Sequence, residues 1–402
     1  MRASAFLYPW DVVGDPYAPV RVARLGVRQV TLASAYHATR ALTPRHPRHR
    51  IVTARHAAVL YPPDPVRWSG RALRPYEQRW TEGPDPFGEA AEALAGAGLE
   101  VHSWVVLAHN SRLGEEHPET SVRNAYGDRY PWAPCIARPE VRDYAVALAA
   151  EAAVRPGARG TELESCGWYG LAHLHAHDKT AGVALGGAGH YLMSLCFCAV
   201  CEEGYAGAGA DPERLRAAVV TALEPLWRGE PGPETGPPGD RGAEWAAVEK
   251  LLGEEPADAT RRWRTGVADA FRRAAVAAVR RAARPGFRVL LHADPAWHRC
   301  GANAGADPAD LLDVADGAVL PCAGGAAGRV ERAAVLGPFA RVRTEGAVLA
   351  ANFAVVSGMG GSPGTLAADA AHAAELGADE LRLYHAGLAS DTDLAQVRAV
   401  LA

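Results

Sequence analysis

The chain has 402 residues, of which 49% are hydrophobic and 22% charged, with a formal net charge of −4. That apolar content supports a large core and excludes global disorder, and the mildly acidic balance excludes the clustered positive footprint of a nucleic-acid binder. The opening MRASAFLYPWDVV has no long apolar segment and no small-residue cleavage site, and no membrane-length apolar run follows, so neither a signal peptide nor a membrane span is expected. Lysine occurs only at Lys179 and Lys250, while Arg, Ala and Gly are abundant, a pattern of coding bias rather than of function. The seven cysteines are an odd number and three of them crowd into CFCAVC, which suits a reducing, cytoplasmic setting better than a disulfide framework.

Eight short apolar or β-branched runs are predicted as strands, at 4–10, 29–37, 100–109, 160–166, 287–294, 317–324, 347–356 and 380–387. Helical periodicity falls between them at 139–154, 258–283 and 365–376, with Pro139 and Asp258 placed as helix starts. Eight strands alternating with helices predict an α/β fold, a (β/α)8 TIM barrel over residues 1–402. Two long excursions are expected, at about 38–99 after strand two (rich in Pro, Arg and His) and at about 167–257 after strand four.

The strands begin apolar and end polar. Tyr8, Trp10 and Asp11 close the first, Tyr36 and His37 the second, His109 and Asn110 the third, and Glu162 and Glu164 the fourth. His292 and Asp294 close the fifth, Asn352 lies in the seventh, and Tyr384 and His385 close the eighth. In a (β/α)8 barrel the carboxyl ends of the strands carry the site, so these residues are the candidates. Glu162 and Glu164 share one strand face, because side chains alternate with period two. Paired carboxylates suit glycosidic cleavage, in which one group protonates the leaving oxygen and another stabilises or attacks the oxocarbenium-like centre. Two acids on one strand lie only about 6.6 Å apart along it and project the same way. The partner that flanks the sugar is therefore sought on another strand, and Asp294 is the best candidate. Trp10, Tyr36, Trp168 and Tyr384 are candidate ring platforms.

The GTELE of residues 160–164 resembles the strand-four signature of several glycoside-hydrolase barrels, and APCIARPEVRDY before it is similar to uncharacterised bacterial glycoside-hydrolase-like barrels. The resemblance covers residues 100–205 and implies Glu164 as the principal catalytic acid, with Glu162 as companion. It has departures. α-Amylase-like barrels carry Glu where Asp294 stands, and chitinase-like barrels carry an acid where Cys166 stands.

Residues 173–179, HLHAHDK, hold alternating histidines that could serve a metal-dependent hydrolase. The other reading is a loop that offers His177, Asp178 and Lys179 to a polyhydroxylated ligand. Cys196, Cys198 and Cys201 form C-x-C-x2-C, a natural zinc-ligand spacing. The pattern is similar to the zinc cluster of family-42 β-galactosidases, and that resemblance implies Cys135 as the fourth ligand, with Cys166 as the alternative. The expectation is a glycoside-hydrolase-like enzyme with a structural zinc and no organic cofactor, acting on a small-molecule or oligosaccharide substrate. A metal-dependent hydrolase and a non-catalytic sugar-binding barrel are the alternatives.

Overall fold

The computed structural model describes residues 1–171, 178–237 and 239–402. Eight strands form the barrel wall: β1 (Arg2–Leu7), β2 (Gln29–Tyr36), β3 (Glu100–Val106), β4 (Ala158–Glu164), β5 (Arg288–His292), β6 (Gly317–Cys322), β7 (Val348–Ala354) and β8 (Glu380–Tyr384). Each is parallel to its neighbours, and β1 pairs with both β8 and β2, which closes the ring. The expected α/β barrel is therefore present. The strands stop earlier than their apolar runs suggested. Pro9 lacks an N–H and opens a 3-10 turn at Pro9–Asp11, so Trp10 and Asp11 lie beyond β1.

Period-two alternation sorts each strand into two faces. Leu7, Leu32, Val105, Leu163, Leu291, Leu349 and Leu383 point outward into the apolar layer beneath the helices. The principal outer helices are α1 (Ala18–Ala23), α2 (Pro86–Gly96), α3 (Pro139–Ala153), α4 (Glu254–Ala282), α5 (Pro308–Val314), α6 (Arg329–Val342), α7 (Leu366–Glu375) and α8 (Asp391–Leu401). The inward faces fill the barrel: Leu290, Val319 and Ala350 form one small apolar cluster, and Phe6, Tyr8, Ala33, Trp104 and Val106 form part of another.

A charged layer also lies in the barrel interior. Arg382 on β8 and Glu162 on β4, strands four places apart in either direction around the ring, meet at 2.5 Å between Nε and Oε1. Both are fully buried. Arg382 also donates to Glu380 (2.9 Å), which takes a second cation from Arg288. Thr31 Oγ1 donates to Glu162 Oε1 (3.1 Å) and shares a hydrogen bond with Ser4. Gly160 makes room for a neighbour, since a Cβ there would lie 2.5 Å from the His102 ring.

The segment after β2 contains an antiparallel hairpin of Thr39–Leu42 with Ile51–Ala54, and then Ala58–Val59, which adds antiparallel to β2. The segment after β4 contains helices at Gly186–Met193, Ala199–Gly207, Pro212–Trp227 and Arg241–Leu252 before α4. No helix among the described residues is long and apolar enough to cross a membrane.

Removing one partner of a buried ion pair strands the other charge, which costs about 3–5 kcal/mol, whereas replacing both by apolar groups is often close to neutral. Urea unfolding at pH 7 should therefore show Arg382→Met destabilised by about that amount. Combining it with Glu162→Leu should recover most of the loss.

Candidate active site

Glu164 is the last residue of β4, and the backbone around it is held on both sides. Its carbonyl accepts from Leu107 N at 3.0 Å, and the next residue, Ser165, turns the chain at φ 55, donating its N–H to Ala302 O. A non-glycine residue in the left-handed region marks a strained turn of the kind that clusters at functional sites. The Glu164 side chain points into the barrel mouth and is 8% exposed. Trp104 Nε1 donates to its Oε2 at 2.8 Å.

Four tyrosines share this environment: Tyr8, Tyr36, Tyr169 and Tyr384 all interact electrostatically with Glu164. Tyr36 and Tyr384 hydroxyls lie 3.5 Å apart, Tyr8 packs edge-on to Tyr36, and Tyr169 stacks on His109 at 4.2 Å. Burial, reinforced by the Glu164 charge, pushes the Tyr384 hydroxyl up to about 12, and Tyr8 and Tyr36 are raised further, chiefly by burial. These phenols are neutral hydrogen-bonding groups at physiological pH. Burial likewise raises the Glu164 carboxyl above the ordinary carboxylate range, with nearby Glu162 adding to the effect.

The two acids of β4 thus have opposite environments. Burial opposes ionisation of Glu162 as well, but Arg382, His292 and His102 outweigh it and hold its carboxyl at about 2. The proton affinity of one acid is raised and that of its neighbour lowered, which is the arrangement that lets paired carboxylates divide labour.

The structure gathers most of the sequence candidates around this point. His292 lies 3.5 Å from Glu162 and acts on Glu164 electrostatically. His385 stacks on Tyr8 at 4.2 Å, and burial lowers it to about 3, so it is a neutral imidazole. His37 stacks on Tyr36 at 4.1 Å, and half-buried Asn352 stands on the inward face of β7 with Oδ1 buried and unbonded. Trp10 is stacked under Tyr8 and only 1% exposed.

Other candidates are committed elsewhere. Asn110 caps the helix Ser111–Glu116, its Oδ1 accepting from Leu113 N. Trp168 donates to Arg264 O and carries the Arg264 guanidinium over its ring at 4.6 Å. Asp294 is gripped by Arg241 through two bonds (2.8 and 2.6 Å), with Arg299 at 3.8 Å. Asp178 and Lys179 are exposed, whereas His177 and the rest of the histidine run lie outside the described residues. Sequence reasoning missed Trp104, Tyr169 and Arg382. Trp104 and Arg382 could have been found by alternation, since they fall in phase with His102 on β3 and with Tyr384 on β8.

Away from the mouth, Cys135, Cys196, Cys198 and Cys201 are all buried, with their sulfur atoms within 4.8 Å of one another. Cys135 lies 3.8 Å from Cys198 and 3.6 Å from Cys201 between sulfurs. Such a group can bind a metal ion. Cys166 is buried near Arg272, apart from this cluster.

No family model matches the sequence, and no curated protein matches it. Solved structures share the fold. α-L-Fucosidase isoenzyme 2 from Paenibacillus thiaminolyticus aligns over 100% of this chain and 49% of its own, at 12% identity and a TM-score of 0.58. The catalytic domain of β-amylase from Paenibacillus polymyxa aligns over 99% and 97%, at 14% identity and TM-score 0.56. Gan42B, a GH42 β-galactosidase from G. stearothermophilus, aligns over 100% and 56%, at 12% identity and TM-score 0.56. The chain thus spans about half the length of the fucosidase and β-galactosidase chains. At these identities the likeness is one of fold, and the fold is one that glycoside hydrolases use.

Asp11 at the rim gives a test of this electrostatic picture. Burial raises its carboxyl from 3.8 to about 7, although Tyr8 N donates to Oδ2 and Arg45 is near. The folded state therefore holds a proton that the unfolded state releases above pH 3.8. Linkage then makes stability fall as pH rises through that window and level off above about pH 7. Asp11→Asn should abolish this component, so that its unfolding free energy gains on wild type between pH 4 and 7 and not beyond.

Proposed function

We propose that the protein is a glycoside-hydrolase-like enzyme acting on a carbohydrate or glycoconjugate, with Glu164 as its principal carboxylate. One observation carries the reading: a buried carboxyl at the end of β4, its proton affinity raised, is ringed by neutral hydroxyls two residues from an acid held ionised. Glu164 delivers its proton to the leaving glycosidic oxygen. Glu162 supplies fixed charge. Asp294 is the candidate second carboxylate, held in an ion pair with Arg241. Tyr36, Tyr384, His37 and Asn352 face the ligand as neutral donors and acceptors, and aromatic faces at the rim receive the sugar ring.

A second reading, a sugar-binding barrel without turnover, is favoured by a different observation. Both Glu162 and Asp294 are engaged by arginines, so neither is a spare carboxylate beside Glu164. Glu164→Gln decides between the two. For an enzyme, turnover should fall by about 10²–10⁴ while ligand binding persists. If wild type and variant bind a glycan alike and neither cleaves it across a glycoside panel, the binding reading stands.

We further infer that the four thiols hold a structural zinc ion. Tetrahedral zinc with Zn–S bonds of about 2.3 Å places sulfurs about 3.8 Å apart, and the sulfur distances of 3.6 and 3.8 Å fit that geometry. Four thiolates leave no open coordination position, so the ion would tie the segment after β4 to the chain before α3. We infer a reducing, cytoplasmic setting from the crowding of Cys196, Cys198 and Cys201. Protein purified without added metal should contain about one zinc per chain by elemental analysis. Cys198→Ser should lose the metal and lower the melting temperature.

A further inference from the structure

Glu162 uses its two oxygens unequally. Oε1 takes Arg382 Nε and Thr31 Oγ1, whereas Oε2 is buried with no hydrogen-bond partner among the described residues. The atom it faces, His292 Nε2, is 3.5 Å away, buried, and likewise without a partner. Buried polar atoms in native proteins are nearly always paired, and a carboxylate oxygen and an imidazole nitrogen are complementary. Each is therefore the other's outlet. His292 stands on β5, directly beside β4, where Leu290 pairs with Glu162.

The groups around Glu164 narrow what can govern its proton. Trp104 donates to it, Tyr8, Tyr36, Tyr169 and Tyr384 surround it from just after β1, from β2, from the loop after β4 and from β8, and Glu162 and His292 complete the set. The four phenols stay neutral through the physiological range. Among the described residues, Glu162 and His292 are the acid and imidazole that act on Glu164 electrostatically.

We propose that His292 is a positioning residue: its Nε2 proton is held toward Glu162 Oε2, and through this contact the Arg382–Glu162 pair governs proton loss at Glu164. The route runs from a guanidinium on β8, through a carboxylate on β4 and an imidazole on β5, back to the second acid on β4. Glu162 acts on its neighbour through the ring, not only by direct repulsion. The kinetic consequence rests on the reading of Glu164 as the working acid. The coupling itself does not.

Full-length protein labelled with ¹³Cδ-glutamate provides the test. The Glu164 signal is assigned by its loss in Glu164→Gln and followed against pH by NMR. His292→Phe, which removes the ring nitrogens, should move the Glu164 midpoint upward by about one pH unit, because a nearby group that favours the charged form is lost. Glu162→Gln should shift the midpoint in the wild-type background and markedly less in the His292→Phe background, the non-additivity expected of residues acting in series. Equal shifts in both backgrounds, or no shift on losing His292, would overturn the proposal. If His292→Phe does not fold, the near-isosteric His292→Gln takes its place in the same cycle and is judged by the same non-additivity. The alkaline limb of the kcat/KM profile, set by loss of the Glu164 proton, should move with the NMR midpoint. Coupling by NMR alongside full turnover by Glu164→Gln would leave the coupling standing and remove the reading of Glu164 as the working acid.

Discussion

The Arg382–Glu162 pair crosses the barrel from β8 to β4 and is the constraint on which the rest of the interior depends. Burying two charges is expensive, and their attraction repays it only when the remaining lone pairs and protons are also satisfied. The surrounding polar residues follow from that demand. Thr31 and Ser4 extend the network from Glu162 toward β1, and Glu380 and Arg288 extend it from Arg382 toward β5. An apolar interior of the same volume would hold the barrel closed as well. The charged layer does something an apolar one could not: it fixes one carboxylate as permanently ionised directly beneath another.

That proximity gives the mouth its character. Glu162 and Glu164 are two residues apart and chemically alike, yet burial raises one and a guanidinium lowers the other. The tyrosines then enclose Glu164 in groups that hydrogen-bond without competing for charge. The result is an aromatic, hydroxyl-rich cup around one acid of raised proton affinity, in a fold that glycoside hydrolases also use.

The segment after β4 connects to this cup from outside. Arg241, from a helix of that segment, reaches Asp294 beyond the end of β5, and Glu244 in the same helix holds His298 and Arg299. At its near end, the cysteine cluster joins the same segment to the residue just after the 129–134 strand. This segment therefore meets the rest of the chain at two separate places, the Arg241–Asp294 pair and the four thiols.

The alternation of apolar and polar residues along each strand, and of strands with helices, was enough to determine the eight-stranded barrel, because both periods are local properties of the chain. It also placed polar residues at or beside the strand ends, among them Glu164, Tyr36, Tyr384 and His385. It overran the strands, since a ladder ends where backbone pairing ends, as at Pro9, and not where hydrophobicity does. What each acid does was not legible. Glu162 and Asp294 owe their ion pairs to Arg382 and Arg241, which lie 220 and 53 residues away in sequence. Asn110 and Trp168 read as ligand contacts but serve a helix cap and a buried arginine, partnerships made only on folding. A carboxylate's proton affinity is set by the charges and the burial around it, and for this chain only the closed barrel supplies them.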